Sequence, residues 1–250
     1  MSTFIYLYGV IDSGLPQSLG SVKLGSLPRE VRTLPLEEIA ALVSETDEQN
    51  FLPTPDDVLT HEKVLETAMA EHTVLPIRFG TVAGSLEDVQ VFLKENYREL
   101  AANLSQLRGK VEVGVKAFWH KEAVRQEVER EVGQLARLKQ ELRQAPGRQQ
   151  EIGLAVGQAT EAVIERWKET HVQSFLATLQ EYSLKTKINP PISIHMLLNA
   201  SFLVERDQEP GFRCRVLELS QVYTKKFGIK YAGPLPPYNF VDVRPVLPQR

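Results

Sequence analysis

Apolar residues recurring every three or four positions run through the middle of this 250-residue chain, and no other feature restricts its fold as strongly. Val124, Val128, Val132, Leu135, Leu138 and Leu142 form one stripe; Ile152, Ala155, Ala159, Val163, Trp167, Phe175, Leu179 and Tyr182 form a second. Such spacings put side chains on one face of an α-helix. Between the stripes lies Gln144-Ala145-Pro146-Gly147, which breaks a helix because proline lacks the amide hydrogen and clashes with the preceding turn. The pattern predicts an antiparallel, coiled-coil-like helical hairpin over residues 120–182. Its second arm is about 50 Å long if Gln149 to Tyr182 is continuous. Such a pair buries one stripe and leaves an outer face for a partner.

The segments before the hairpin alternate in period. Phe4–Val10 is β-branched and aromatic and ends at Asp12-Ser13-Gly14, which predicts a buried strand. Residues 13–30, with Gly14, Pro16, Gly20, Gly25 and Pro28, are expected to be loop. Ile39–Ser44 is read as a strand. Thr54 before Pro55-Asp56-Asp57 starts a helix with Val58, Leu65, Ala68 and Met69 inward, and Ser85 starts another with Leu86, Val89, Phe92, Leu93, Leu100, Leu104 and Leu107 inward. Thr73–Phe79 reads as a strand in which Pro76 marks an edge or bulge, and Lys110–Phe118 as a half-buried one. The order strand, strand, helix, strand, helix, strand suits a ferredoxin-like α+β domain over residues 1–118. Residues 119–250 then form an α+β domain built on the hairpin. It adds strands at Leu184–Ile188, Ile192–Val204 and Ile229–Gly233, a helix over Pro210–Phe227 with Phe212, Val216, Leu219, Val222 and Tyr223 inward, and a proline-rich end.

Charge separates these parts. The formal net charge of −3 divides into −7 over residues 1–118, −1 over 119–183 and +5 over 184–250. A near-neutral total with 24% charged residues argues against a dedicated nucleic-acid binder or a disordered acidic tail. The N-terminal MSTFIYLYGVID lacks the basic start and cleavage site of a secretory leader. The most apolar stretch, Ile192–Val204, is interrupted by Ser193, His195, Asn199 and Ser201 and is shorter than the roughly 20 residues of a membrane span. The expectation is a cytoplasmic chain with no lipid-membrane segment.

Catalytic and metal motifs are absent: no GxSxG, no GxxxxGK[ST], no HExxH and no CxxC. The lone Cys214 excludes an intrachain disulfide, and it reads as a structural or surface cysteine despite Arg213 and Arg215 beside it. Gly80-Thr81-Val82-Ala83-Gly84 follows a strand but matches neither nucleotide fingerprint. The histidines His61, His72, His120, His171 and His195 are scattered, with His61 and His72 placed on one helix about three turns apart. Arg78, inside an apolar strand, calls for an acidic partner on the following helix or for a ligand. Pro234-Leu235-Pro236-Pro237 satisfies PxxP, although packing of Tyr238 and Phe240 within the chain is the better reading. No cofactor and no metal are expected.

Several blocks together resemble one family. Tyr6-Leu7-Tyr8-Gly9-Val10, Ala41-Leu42-Val43-Ser44, Val74-Leu75-Pro76-Ile77-Arg78-Phe79-Gly80-Thr81-Val82, Leu107–Glu112 and Gly233-Pro234-Leu235-Pro236-Pro237-Tyr238-Asn239-Phe240-Val241 resemble, in order, the gas vesicle protein F and L family. Leu235 stands where many members carry tryptophan. The resemblance implies a non-catalytic accessory or minor structural protein of gas vesicles, the protein-walled buoyancy compartments of aquatic bacteria and archaea. It implies as partners the hydrophobic shell protein and other accessory proteins, and a place at the vesicle after a soluble cytoplasmic stage. The candidate motif or interaction residues are Leu75, Pro76, Arg78, Phe79, Gly80, Gly233, Pro234, Pro236, Pro237, Tyr238 and Phe240.

A shell subunit that presents an apolar face to gas is an aggregation hazard before assembly. A groove between sheet and hairpin is suited to cover it. The competing reading is a ferredoxin-like small-molecule binder or enzyme, which requires His61, His72 or Arg78 to converge in an enclosed pocket.

Overall fold

Strand β1 (Phe4–Ile11) is the centre of the first sheet, and its residues from Ile5 on are buried. A computed structural model describes residues 3–25, 27–131, 140 and 149–241. They group into two compact units. The first comprises described residues up to Glu112, Glu205–Asp207 and the chain from Gly233 on; the second comprises Val113–Val204 and Gln208–Ala232.

In the first unit β1 is followed by β2 (Ser18–Leu24), β3 (Leu27–Leu36) and β4 (Ile39–Thr46), then helix α1 (Pro55–Met69), β5 (Val74–Pro76), β6 (Val82–Ala83) and helix α2 (Leu86–Leu107). The sheet runs β2-β3-β4-β1-β5, with β6 also on β1, and every one of these pairs is antiparallel. Both helices start at the caps the sequence specifies: Thr54 accepts from the Asp57 amide and Ser85 from the Asp88 amide. α1 buries His61, Val64, Leu65, Ala68 and Met69; α2 buries Val89, Phe92, Leu93, Leu100, Leu104 and Leu107. Both pack on β1.

Two expectations are corrected here. Within residues 13–30, expected to be loop, Ser18–Leu24 pairs with β3 from Leu27 on as a β-hairpin, because Gly20 (φ 87°) sits where the β2–β3 register shifts and Gly25 (φ 67°) at the turn, leaving the residues between free to pair. The strand expected at Lys110–Phe118 forms as β7 (Lys110–Trp119) but joins the second sheet, so the N-terminal sheet is not closed in the ferredoxin-like way.

Arg29 of β3 is almost fully buried. Its Nε donates to the Leu24 carbonyl (3.0 Å), and one terminal nitrogen reaches Asp47 and Glu48 (3.0 Å each). The guanidinium lies 5.9 Å from the Phe51 ring centre and holds the Asp47 carboxyl below its ordinary value through their hydrogen bond. A lysine keeps the charge but not this planar fork. Arg29→Lys is expected to lower the unfolding free energy by about 1–2 kcal/mol in urea denaturation.

After β7 the chain forms α3 (Lys121–Glu131), α4 (Gln149–Gln180), β8 (Lys185–Ile188), β9 (Met196–Glu205), α5 (Glu209–Tyr223) and β10 (Phe227–Leu235), which apart from Glu205 and Gly233–Leu235 fall in the second unit. Its sheet runs β10-β7-β9-β8. Met196, Leu198, Ala200, Phe202 and Val204 alternate into the core from β9, where Phe202 meets Phe212 of α5. α4 contributes Trp167, Phe175, Leu176 and Leu179, and Tyr223 stacks on Phe227 with ring centres 4.7 Å apart. α3 and α4 contact each other. The break at Gln144–Gly147, with Val132, Leu135, Leu138 and Leu142, lies outside the described residues. The second stripe is only half buried: Ala155 and Ala159 are exposed, and burial begins near Trp167. Tyr182, after α4, and Val222, on the outer side of α5, are also exposed.

Candidate functional site

Two sequence blocks far apart in the chain meet in the first unit. Leu75 and Pro76 are buried in β5, with Pro76 opposite Gly9 of β1, and the chain leaves the strand after Pro76. The Ile77 amide donates to the Tyr8 carbonyl (2.9 Å) and the Gly80 amide to the Tyr6 hydroxyl (3.0 Å). Gly80 holds φ at 78°, a left-handed conformation that an alanine adopts only with strain. Gly80→Ala is therefore expected to cost about 1 kcal/mol, read as a lowered Tm.

The other block is the segment after β10. The Gly233–Pro234 peptide is cis, Pro234 is exposed, and Pro236 and Pro237 are buried. Tight turns follow, with the Tyr238 amide donating to Pro236 O (2.8 Å) and the Phe240 amide to Pro237 O (3.0 Å). The PxxP prolines are thus packed within the chain. Asn239 donates twice to the buried Glu112 of β7, from its backbone to Oε2 (2.8 Å) and from Nδ2 to Oε1 (2.6 Å).

His61 of α1 joins the blocks. Its Nε2 lies 3.1 Å from the Ile77 carbonyl and 3.1 Å from the Tyr238 hydroxyl, and its Nδ1 lies 2.9 Å from the Tyr6 hydroxyl. A carbonyl can only accept, so these partners assign the proton to Nε2 and leave Nδ1 to accept from Tyr6, whose oxygen takes the Gly80 amide. The Tyr238 hydroxyl can then donate to Glu62, with which it is hydrogen-bonded. Phe79 and Phe51 wall the cluster, with ring centres 5.8 Å from His61 and 4.9 Å from Tyr6 respectively. Tyr8 closes it, its hydroxyl 3.2 Å from Ser44 Oγ.

Burial sets the protonation states. It pulls the His61 pKa down to about 4, so the ring is neutral near pH 7. It raises the Glu62 carboxyl, pushes Tyr8 up to about 12, and drives Tyr6 and Tyr238 well above the phenolic range. Both His61 nitrogens are engaged, and the network's evident task is to tie residues 75–80 and 236–240 to α1.

The remaining candidates are dispersed. Arg78 is exposed, beyond the strand end, with no ion pair among the described residues, so the acidic helix partner expected for it is not seen. Phe240 and Gly233 are half-buried. His72 lies past the end of α1, not on it, and its Nε2 is 3.3 Å from Gln17 Oε1. Open clefts of about 500 and 670 Å³ run along α2, one beside Leu36 and Tyr97 and the other beside Asp12 and Arg108. His61, His72 and Arg78 line neither. Cys214 is exposed. Among the described residues no group of three His, Cys, Asp or Glu is placed to hold a metal, and no helix is long and apolar enough to cross a membrane. Sequence reasoning missed His61, Glu112 and Asn239 as a set. His61 was detectable, since it shares the α1 stripe with Leu65 and Ala68. Glu112 was not, because strand alternation with Val111 and Val113 assigns it to solvent.

The fold and this network define a mixed α/β protein with antiparallel sheets, its two characteristic sequence blocks fastened in one unit. Residues 4–242 match the family model described as gas vesicle synthesis protein GvpL/GvpF, and the chain belongs to that family. It is 35% identical over 246 residues to gas vesicle protein F of Streptomyces sp. (strain CB03234), covering 97% of this chain and 100% of that one. It is 29% identical over 248 residues to gas vesicle protein F of Dolichospermum flosaquae, covering 97% and 99%. The crystal structure of GvpF from Anabaena sp. PCC7120 is similar with a TM-score of 0.80 at 26% identity, covering 97% of this chain and 98% of that one. GvpF from Microcystis aeruginosa gives 0.79 at 28% identity, covering 96% and 99%.

Proposed function

We propose that this chain is a non-catalytic accessory or minor structural protein of gas vesicles that binds the hydrophobic shell protein and other accessory proteins during assembly. The observation that carries the reading is the end-to-end match to proteins named gas vesicle protein F, 97% of this chain against 100% of the Streptomyces protein. The buried network adds support, because His61, Tyr6 and Tyr238 spend their polar atoms on one another, on Glu62 and on the backbone. The chain acts at the vesicle after a soluble stage in the cytoplasm. Leu75, Pro76, Arg78, Phe79 and Gly80 together with Gly233, Pro234, Pro236, Pro237, Tyr238 and Phe240 act in this reading mainly by shaping the first unit, with exposed Arg78 free to reach a partner. Helices α3 and α4 are read as the arms of a hairpin, supported by their mutual contact.

The test is co-expression of the full chain, tagged, with the gas vesicle shell protein of the same host. The shell protein copurifies with the wild-type chain and not with an unrelated tagged protein of similar charge. Equal recovery with both overturns the reading.

A further inference from the structure

Among the described residues, strand β8 is the last strand on its side of the second sheet and pairs with β9 alone. The Asn189 amide donates to the Asn199 carbonyl (2.7 Å), continuing the register in which Lys187 faces Ser201 and Lys185 faces Leu203. Antiparallel pairing alternates inward and outward backbone groups, so those of Thr186 and Ile188 point away from β9, where no strand among the described residues meets them. The two side-chain faces of β8 differ in kind. Thr186 and Ile188 share the face of Phe202 and Ala200, the core side of β9, yet Ile188 is 60% exposed. Lys185 and Lys187 project from the other face, both exposed and without an ion pair among the described residues. Tyr182, Leu184, Ile192 and Ile194 flank the strand with at least 49% exposure each.

We infer that the outer edge of β8 is a binding site for an extended segment of a partner protein, which adds to the sheet as a fifth strand and alternates apolar residues with carboxylates. The backbone groups of Thr186 and Ile188 supply the ladder. Apolar partner residues extend the face of Ile188, and carboxylates on the opposite face meet Lys185 and Lys187 as cross-strand pairs. A second copy of this chain is the wrong occupant, because two β8 strands brought side by side set lysines against lysines. This site goes beyond the gas vesicle reading and does not depend on it.

The test uses the full chain and two short peptides, one alternating valine with glutamate and one alternating valine with lysine. The glutamate peptide binds about tenfold or more tightly than the lysine peptide, as expected for two cross-strand charge pairs and a ladder. It slows hydrogen exchange at the Thr186 and Ile188 amides. Ile188→Pro removes one outward amide without touching the β8–β9 ladder and abolishes binding. Lys185→Glu with Lys187→Glu, confined to exposed side chains, reverses the preference between peptides. Equal binding of both peptides by the wild-type chain, unprotected Thr186 and Ile188 amides, or an unchanged preference in the double variant overturns the site. Shell-protein copurification, measured in parallel, keeps the two readings apart: its loss with peptide binding intact rejects the partner assignment and leaves the edge standing.

Discussion

Replacing His61 by phenylalanine is expected to lower the unfolding free energy of the chain by about 3–4 kcal/mol at pH 7 and to remove an acid-dependent loss of stability. His61 is 1% exposed, so water does not reach in to replace its hydrogen bonds. The variant takes the acceptor from the Tyr6 hydroxyl proton, whose oxygen keeps the Gly80 amide, and the His61 donor from the Ile77 carbonyl, at about 1–3 kcal/mol for each buried group left unsatisfied. The pH dependence has a definite sign. His61 has a folded pKa of about 4, below the 6.5 of a free histidine. Between these values the unfolded chain binds a proton that the folded chain refuses. The stabilisation is thus complete above pH 6.5 and lost as pH falls towards 4, by about 3 kcal/mol in all. Glu62 beside it has a raised pKa and contributes with the opposite sign, favouring the folded state as it takes up its proton. Tyr6, Tyr8 and Tyr238 stay neutral throughout. Urea denaturation of the wild type and His61→Phe from pH 7 to 4.5 isolates the histidine, since Glu62 is common to both. Parallel slopes would contradict the neutral, buried assignment.

The second large effect is expected at Glu112. Its two carboxylate oxygens accept from the Asn239 amide and Nδ2. Glutamine has nearly the same shape but turns one acceptor into a donor, which then faces an N–H. Glu112→Gln is therefore expected to cost about 2 kcal/mol and Glu112→Leu about 3 kcal/mol, the latter leaving both Asn239 donors without this acceptor. Both variants free the turns at Pro236–Phe240, seen as faster hydrogen exchange at the Tyr238 and Phe240 amides with β1 and β4 amides less affected. A glutamine variant as protected and as stable as the wild type would show that the carboxylate does not fasten this segment.

Local chemistry was legible in the sequence, and long-range pairing was not. Thr54 and Ser85 announce α1 and α2 because a cap is satisfied within three residues, and both make the bond expected of them. Gly20, Gly25 and Pro28 suggested loop, although a hairpin needs glycine at its bulge and turn and tolerates proline near a strand end. The alternation at Lys110–Phe118 identifies a strand but carries no information on which sheet receives it. The two family-like blocks were visible as words. Their meeting was not, since it depends on a histidine 177 residues away from Tyr238. Glu112 broke the period-two expectation because Asn239 supplies, inside the protein, what water would otherwise provide.

The central claim, a role in making gas vesicles, is tested most directly by removing this chain from its own host and restoring it. Vesicle content, measured as light scattering that collapses under pressure, is predicted to fall on removal and to return with the wild-type chain. Unchanged vesicle content in its absence would contradict the claim.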